Sequence, residues 1–404
     1  MLGVEADLHG EDLGPFDVGR GDDLRFVVFA RAVVELEPGL DPPPARLGVQ
    51  ITQLGGDQSP QGIGHLVEQF ELHGASLAPP NGAGIGHGSL GECHRGGPEE
   101  EPVEAAVALR GCLTAPVQEP DWIAITRRNA RSVQTTVGWI FWDPGAVARY
   151  DALGLPGPLG YIGARAAPLA PAGPEAVEAA FGSISALGIA LTFDAVDRNG
   201  TSFDDLWHAR DEAVVEGLRA HAPDIVEPLV ELGPPLWAVV EQLPTVGRPL
   251  YASHLRMARP TDPLLSGWHA VNCIREWRGD THWAIVVASG LSGIEASILH
   301  NAWLGYERDW LPGSRGSTRE EIEHGWASLR AKGLADDDAV TAEGVALRQH
   351  IEDETDRLTT LVWELLGEAR SLAFATDLEP PCELLLARVD ETAGPNYQPA
   401  SRLR

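Results

Sequence analysis

The stretch 268–298 reads "WHAVNCIREWRGDTHWAIVVASGLSGIEASI", and its interpretation decides the fold. Apolar residues recur at three- and four-residue steps up to Ala288, which predicts a long helix. Gly290 then predicts a turn, and Ser292 with Glu295 has the Ser-x-x-Glu spacing of a capping box that opens a second helix. Helix, turn and helix are followed by "STREEIEHGWASLRAKGL", where Ser317 and Glu320 are expected to form another such box. The run "ADDDAV" takes the place of a short wing, and in "TAEGVALRQHIEDETDRLTTLVWELL" Ile351, Leu358, Leu361 and Leu365 suggest an inward stripe. That order is the order of a winged helix-turn-helix unit.

Upstream, "GPEAVEAAFGSI" (173–184), "FDDLWHARDEAVVEGLRAHA" (203–222) and "IVEPLVEL" (225–232) carry the same helical period, with breaks expected at "PLAPAGP", "LGPPL" and "RMARPTDP". Residues 1–121 read differently. They hold 20 Gly and 12 Pro but no Trp or Tyr, too few large apolar groups to offset the entropy of ordering the chain. The segment is expected to be disordered, or to be text translated from a start codon too far upstream, with an authentic start near Val117. Within it "GAGIGHG" (82–88) follows no strand, and the Cys93-His94 pair lacks the three or four ligands of a metal site. The fold expected is therefore mainly α. A low-order region spans 1–121, a helical domain 122–263, a winged-helix-like domain 264–370 and a C-terminal tail 371–404.

The 59 acidic residues against 30 basic ones repel phosphate backbones and anionic membranes unless a local patch reverses the field. Between Gly290 and Gly305 there is no Arg or Lys, and the wing carries Asp336, Asp337 and Asp338 where a DNA reader needs cations. Nucleic-acid binding is thus disfavoured as a function. Four widely spaced cysteines, no basic-apolar leader and no long apolar run point to a cytoplasmic protein without a membrane partner. Cys273 reads as a buried, inert thiol.

Arg275, Arg278 and His282 stand at i, i+3 and i+7, on one helix face, with Glu276 and Asp280 on an adjoining one. Two planar forks of donors beside an imidazole suit a small carboxylate or phosphate ligand. The competing structural reading pairs both arginines with Glu276, Asp280 or acids of neighbouring helices, and lets His282 satisfy a local carbonyl. His269 and Arg165 join Arg275, Arg278, Asp280 and His282 as candidate ligand-binding residues. An enzyme using His282 or Asp280 as acid or base is the rival functional class. His269, His282 and His300 are too far apart in sequence to read as a zinc set, and neither metal nor cofactor is implied. A homodimer stays open.

The runs "YDALGLPGPLGYIGARAAPLAP" (150–171), "SGWHAVNCIREWRGDTHWAIVVASGL" (266–291) and "LRAKGLADDDAVTAEGVALRQHIEDETDRL" (329–358) resemble the SalK-like family of actinobacterial winged-helix proteins. The likeness covers about residues 122–370. It implies a first helix bearing Glu-Pro-x-His, a place taken here by Gln134-Thr135-Thr136-Val137, and Trp277 stands where a histidine is usual. Any activity needing those side chains is put in doubt by these departures. The resemblance implies a fold more firmly than a function.

Overall fold

The computed structural model describes residues 119–402 apart from 338, together with two three-residue strands earlier in the chain. Those strands, β1 (Arg46–Gly48) and β2 (Gln69–Glu71), pair antiparallel with Leu47 opposite Phe70. The rest of the expectation for 1–121, including "GAGIGHG" and Cys93-His94, lies outside the described residues.

The helical body begins at α1 (Trp122–Gly138), whose first turn is capped by Asp121, accepting from the Ala124 N–H at 2.9 Å. α2 (Pro144–Ala152), α3 (Pro158–Ala166) and α4 (Pro174–Phe181) each start on a proline, which needs no donor there and has its φ preset. α5 (Ala186–Asn199) and α6 (Phe203–His221) open on Ser185 and Ser202, the second through a capping box with Asp205. α7 (Val226–Val240) is followed by α8 (Pro249–Leu255) and by α9 (Pro263–Ala288). The break expected at "LGPPL" is absent, since α7 runs on through Pro234 and Pro235.

α9 is the 26-residue axis of the body. Trp268, Val271, Ile274 and Trp277 are all buried, and so are His269, Asn272, Glu276, Arg278 and Asp280, so the helix is enclosed on nearly every side and carries polar groups into the interior. Around its first half lie α1, α6 and α7, and the two helical domains expected at 122–263 and 264–370 share this core. The segment 371–404 is no tail. α15 (Glu368–Thr392) packs along α1 and buries Phe374, Leu378, Cys382, Leu385 and Val389, a helical stripe broken in sequence only by Pro380-Pro381.

The second half of α9 enters a smaller core with α10 (Gly293–Leu304), α12 (Arg319–Ala331) and α13 (Ala342–Leu358), built on Val286, Ile298, Leu299, Trp326, Leu329 and Ile351. Gly290 turns at φ 72°, and Ser292 and Glu295 form the expected capping box. The next box is made by Thr318 and Glu321, one residue beyond the pair expected, after the short α11 (Trp310–Ser314). The wing is a single antiparallel bridge, Ala335 to Val340. The stripe expected along one long final helix is not formed. α13 stops at Leu358, which is 43% exposed, and α14 (Leu361–Leu366) starts afresh.

The approach of α9 to α7 depends on Gly267, where an added Cβ would stand 2.0 Å from the Leu229 carbonyl oxygen. Backbone cannot yield as a flexible side chain does, so Gly267→Ala is expected to cost about 1–3 kcal/mol or more through helix displacement. At Gly279 the nearest atom to such a Cβ is 3.9 Å away, and Gly279→Ala is expected to stabilise by about 0.5–1 kcal/mol through helix propensity. Thermal unfolding of the two variants checks both signs.

Candidate functional site

One turn of α9 presents Glu276 to the interior, 1% exposed. Its carboxylate receives both arms of a guanidinium fork from Arg165 on α3, Nε at 3.0 Å and Nη2 at 2.8 Å, and Arg275 Nη1 at 2.5 Å. Arg275 also donates from Nε to Gln134 Oε1 at 3.1 Å, so α1 contributes to the same network. Burial opposes ionisation of Glu276, but Arg165 and Arg275 outweigh it and hold the carboxyl far below its usual range. Arg165 lies 4.3 Å over the Phe181 ring.

Two residues beyond Glu276, Arg278 turns toward α13. Its Nη2 donates to Glu352 at 2.5 Å and to Asp356 at 2.8 Å. Arg348 reaches the other oxygen of Glu352 at 2.7 Å, and Arg127 of α1 reaches Asp356 at 3.0 Å. α13 thus presents an i, i+4, i+8 series of Arg348, Glu352 and Asp356 inward, where an apolar stripe was expected. That spacing was readable, but charged residues at helical intervals on an acidic chain read first as a solvated face. His282 pairs with the Thr355 hydroxyl at 3.1 Å, and burial, with Arg348 adding repulsion, pushes it down to about 3. A small cavity beside Arg278, lined by Thr126, Val133, Ile274 and Trp363, has apolar walls and suits no anion.

Arg275, Arg278 and His282 therefore occupy α9 at the expected spacing but form no surface. Arg278 is 9% exposed, and all three are enclosed by α1, α3 and α13. The acids that meet Arg278 come from a helix 74 residues on, and sequence proximity to Asp280 was no guide. Asp280 instead accepts from the Tyr251 backbone N–H at 2.9 Å, and burial pushes its carboxyl up to about 7, with Glu276 contributing. His269 is held elsewhere. Its Nε2 meets both oxygens of Asp211 at 3.0 Å beside Arg210, between the rings of Trp207 and Trp268. Cys273 is buried and its thiol is pushed up to about 12 by desolvation, a nucleophile kept protonated. Among the described residues no group of three His, Cys, Asp or Glu is placed to hold a metal ion.

The sequence did not single out Arg315, Arg348 or His300 as ligands, yet they border this network. Arg315 is half-buried, donates to the Ser297 hydroxyl at 3.1 Å and has no carboxylate partner among the described residues. Burial pushes its pKa down to about 10, and Arg348 and Arg165 add repulsion. The interior holds five guanidiniums, on Arg165, Arg275, Arg278, Arg315 and Arg348, against the three ion-paired carboxylates of Glu276, Glu352 and Asp356 and a fourth carboxyl, Asp280, whose raised pKa leaves it only partly charged near neutral pH. Arg127 adds a sixth, but it is balanced by its own contact to Asp353.

The helix-turn-helix surface has the opposite charge. Every residue of α10 is buried or half-buried, so this second helix is covered by α11, α12 and α13. The exposed helix before the wing is α12, which shows Glu320, Glu321 and Glu323 alongside Arg319 and Arg330, and the wing shows Asp336 and Asp337. Asp338 lies outside the described residues. No single helix among the described residues is long and apolar enough to cross a membrane.

A family model described as a helix-turn-helix family matches residues 126–391. No curated protein and no solved structure matches the chain.

Proposed function

From a chain that belongs to this helix-turn-helix family, we propose a regulator-like protein that binds a small anionic ligand in its arginine-rich interior and has a weak or absent DNA-contacting surface. The observation that carries it is the interior excess of guanidinium over carboxylate, because buried charge is costly unless an opposite charge meets it. The acidic α12 and wing support the second half, since phosphate neutralisation by Lys and Arg supplies most non-specific affinity. We place the protein among the SalK-like actinobacterial proteins, on the three motifs quoted above, and in the cytoplasm. Whether it works as a homodimer is part of the same proposal.

Asp280 sustains a second, enzymatic reading. A carboxyl titrating near 7 is poised for proton transfer, whereas a histidine near 3 stays neutral and supplies no proton.

Titration with mixed-sequence duplex DNA at about 50 mM salt, a permissive condition, is expected to show no binding tighter than about the micromolar range. Salt-sensitive nanomolar binding would overturn the reading of the surface. Thermal unfolding in a panel of sodium salts at matched ionic strength tests the ligand. At least one small oxyanion is expected to raise the midpoint above chloride, and a panel with no effect would remove the ligand from the proposal.

A further inference from the structure

Ser297, His300 and Trp303 follow one another at three-residue steps along α10 and so stand one above the next. Arg315 is tied to the first of them by its bond to the Ser297 hydroxyl. Arg348 lies 4.9 Å over the ring of the third, and the Trp303 indole N–H is fixed in turn by Gln349 at 3.0 Å. His300 stands on the helix between these two attachment points.

Each of the three groups keeps hydrogen-bonding capacity that the fold does not use. Arg348 is 5% exposed, and its Nη1 is buried without a partner while Nη2 is held by Glu352. His300 Nε2 is likewise buried without a partner. Arg315 brings a positive charge that no carboxylate among the described residues meets. Buried polar atoms in folded proteins are nearly always bonded, so two orphans beside an uncompensated guanidinium mark a place where a partner belongs.

We propose that Arg315, Arg348 and His300 form a binding site for the carboxylate of a small monoanionic ligand. The proposal rests on the reading of the interior as an anion site and deepens it by naming the groups and the ligand class. Charge selects the monoanion. Arg278 and Arg348 are already balanced by Glu352 and Asp356, which leaves the one charge of Arg315 to be met, and a dianion would bring a surplus negative charge close to Glu352. Shape suits the carboxylate, because the Nε and Nη2 edge of Arg315 offers one planar fork and Arg348 adds its single unpartnered arm, Nη1, to the same pair of coplanar oxygens. His300 stays neutral, since burial and then the repulsion of Arg348 and Arg315 hold its pKa well down, and it can donate from Nε2 without adding charge. Arg315 and His300 are only half-buried, which leaves the site reachable from solvent.

The test is thermal unfolding of the full chain in sodium acetate, benzoate, phosphate and chloride at matched ionic strength, for the wild type, Arg315→Gln and His300→Gln. Acetate or benzoate is expected to raise the wild-type midpoint by several degrees over chloride. Arg315→Gln should weaken carboxylate binding at least ten-fold while its own ligand-free midpoint stays equal or rises, because an unmet buried charge has been removed. His300→Gln should weaken binding several-fold, and it carries the test should the arginine variant not fold. Stabilisation by phosphate and by neither carboxylate would overturn the ligand class and leave the interior anion reading standing. A carboxylate response that survives both substitutions would place the ligand elsewhere in the interior. A wild type indifferent to every anion would overturn both.

Discussion

Glu276→Ala is expected to destabilise the protein by about 3–5 kcal/mol, the usual loss when one partner of a buried ion pair is removed. Arg165 and Arg275 would be left facing each other with no carboxylate between them, and their side chains are only 14% and 13% exposed. Bulk water is a poor substitute for the lost anion at that depth. Against a total stability of about 5–15 kcal/mol, that loss removes between a fifth and all of the margin. Arg278→Ala should cost less, because Glu352 retains Arg348 and Asp356 retains Arg127. Urea unfolding followed by circular dichroism checks the magnitude and the order of the two. A loss below about 1 kcal/mol for Glu276→Ala would mean that the pair is hydrated like a surface bridge.

Acidification from pH 6.5 to about 4 is expected to weaken the fold steeply. His254, His269, His282 and His300 are all pushed below 6.5 by burial, His254 to about 4 and His282 to about 3. A histidine depressed in this way stabilises the fold fully above its unfolded pKa, and that stability is lost as pH falls toward the folded value, because only the unfolded chain takes up the proton. Asp280 acts in the opposite sense. Its folded pKa is raised to about 7, so its contribution is complete below about 4 and disappears as pH rises to 7. In the overlapping window four protons oppose one, and the net slope is on the order of 4 kcal/mol per pH unit. Urea midpoints between pH 4.5 and 7.5 measure it. His282→Gln should flatten the slope and Asp280→Asn should steepen it, whereas a flat wild-type profile would show that water reaches the histidines.

The parts of this fold that were legible in the sequence are those set by neighbours along the chain. α6 and α9 begin and end within a residue or two of the periodic runs, and the Gly290 turn with the Ser292 box follows from local backbone and capping chemistry. Where local rules competed, packing chose. Pro234-Pro235 reads as a helix breaker, but α7 buries enough apolar surface on both sides of it to continue, as α15 does through Pro380-Pro381. The cap of α12 moved from Ser317 to Thr318 because two adjacent hydroxyl residues each have a glutamate three positions on.

The candidate site divides in the same way. Sequence by itself determined the helical class, the helix-turn-helix order, the absence of a basic second helix and the clustering of Arg275, Glu276, Arg278, Asp280 and His282 on α9, since each depends on composition or on helical spacing. Only the tertiary structure decided that Arg278 meets Glu352 and Asp356, that Arg165 meets Glu276, and that Arg315, Arg348 and His300 border the same interior. Those partners lie tens to more than a hundred residues apart. Coulomb energy depends on distance through space and on burial, and neither quantity is carried by the order of residues along the chain.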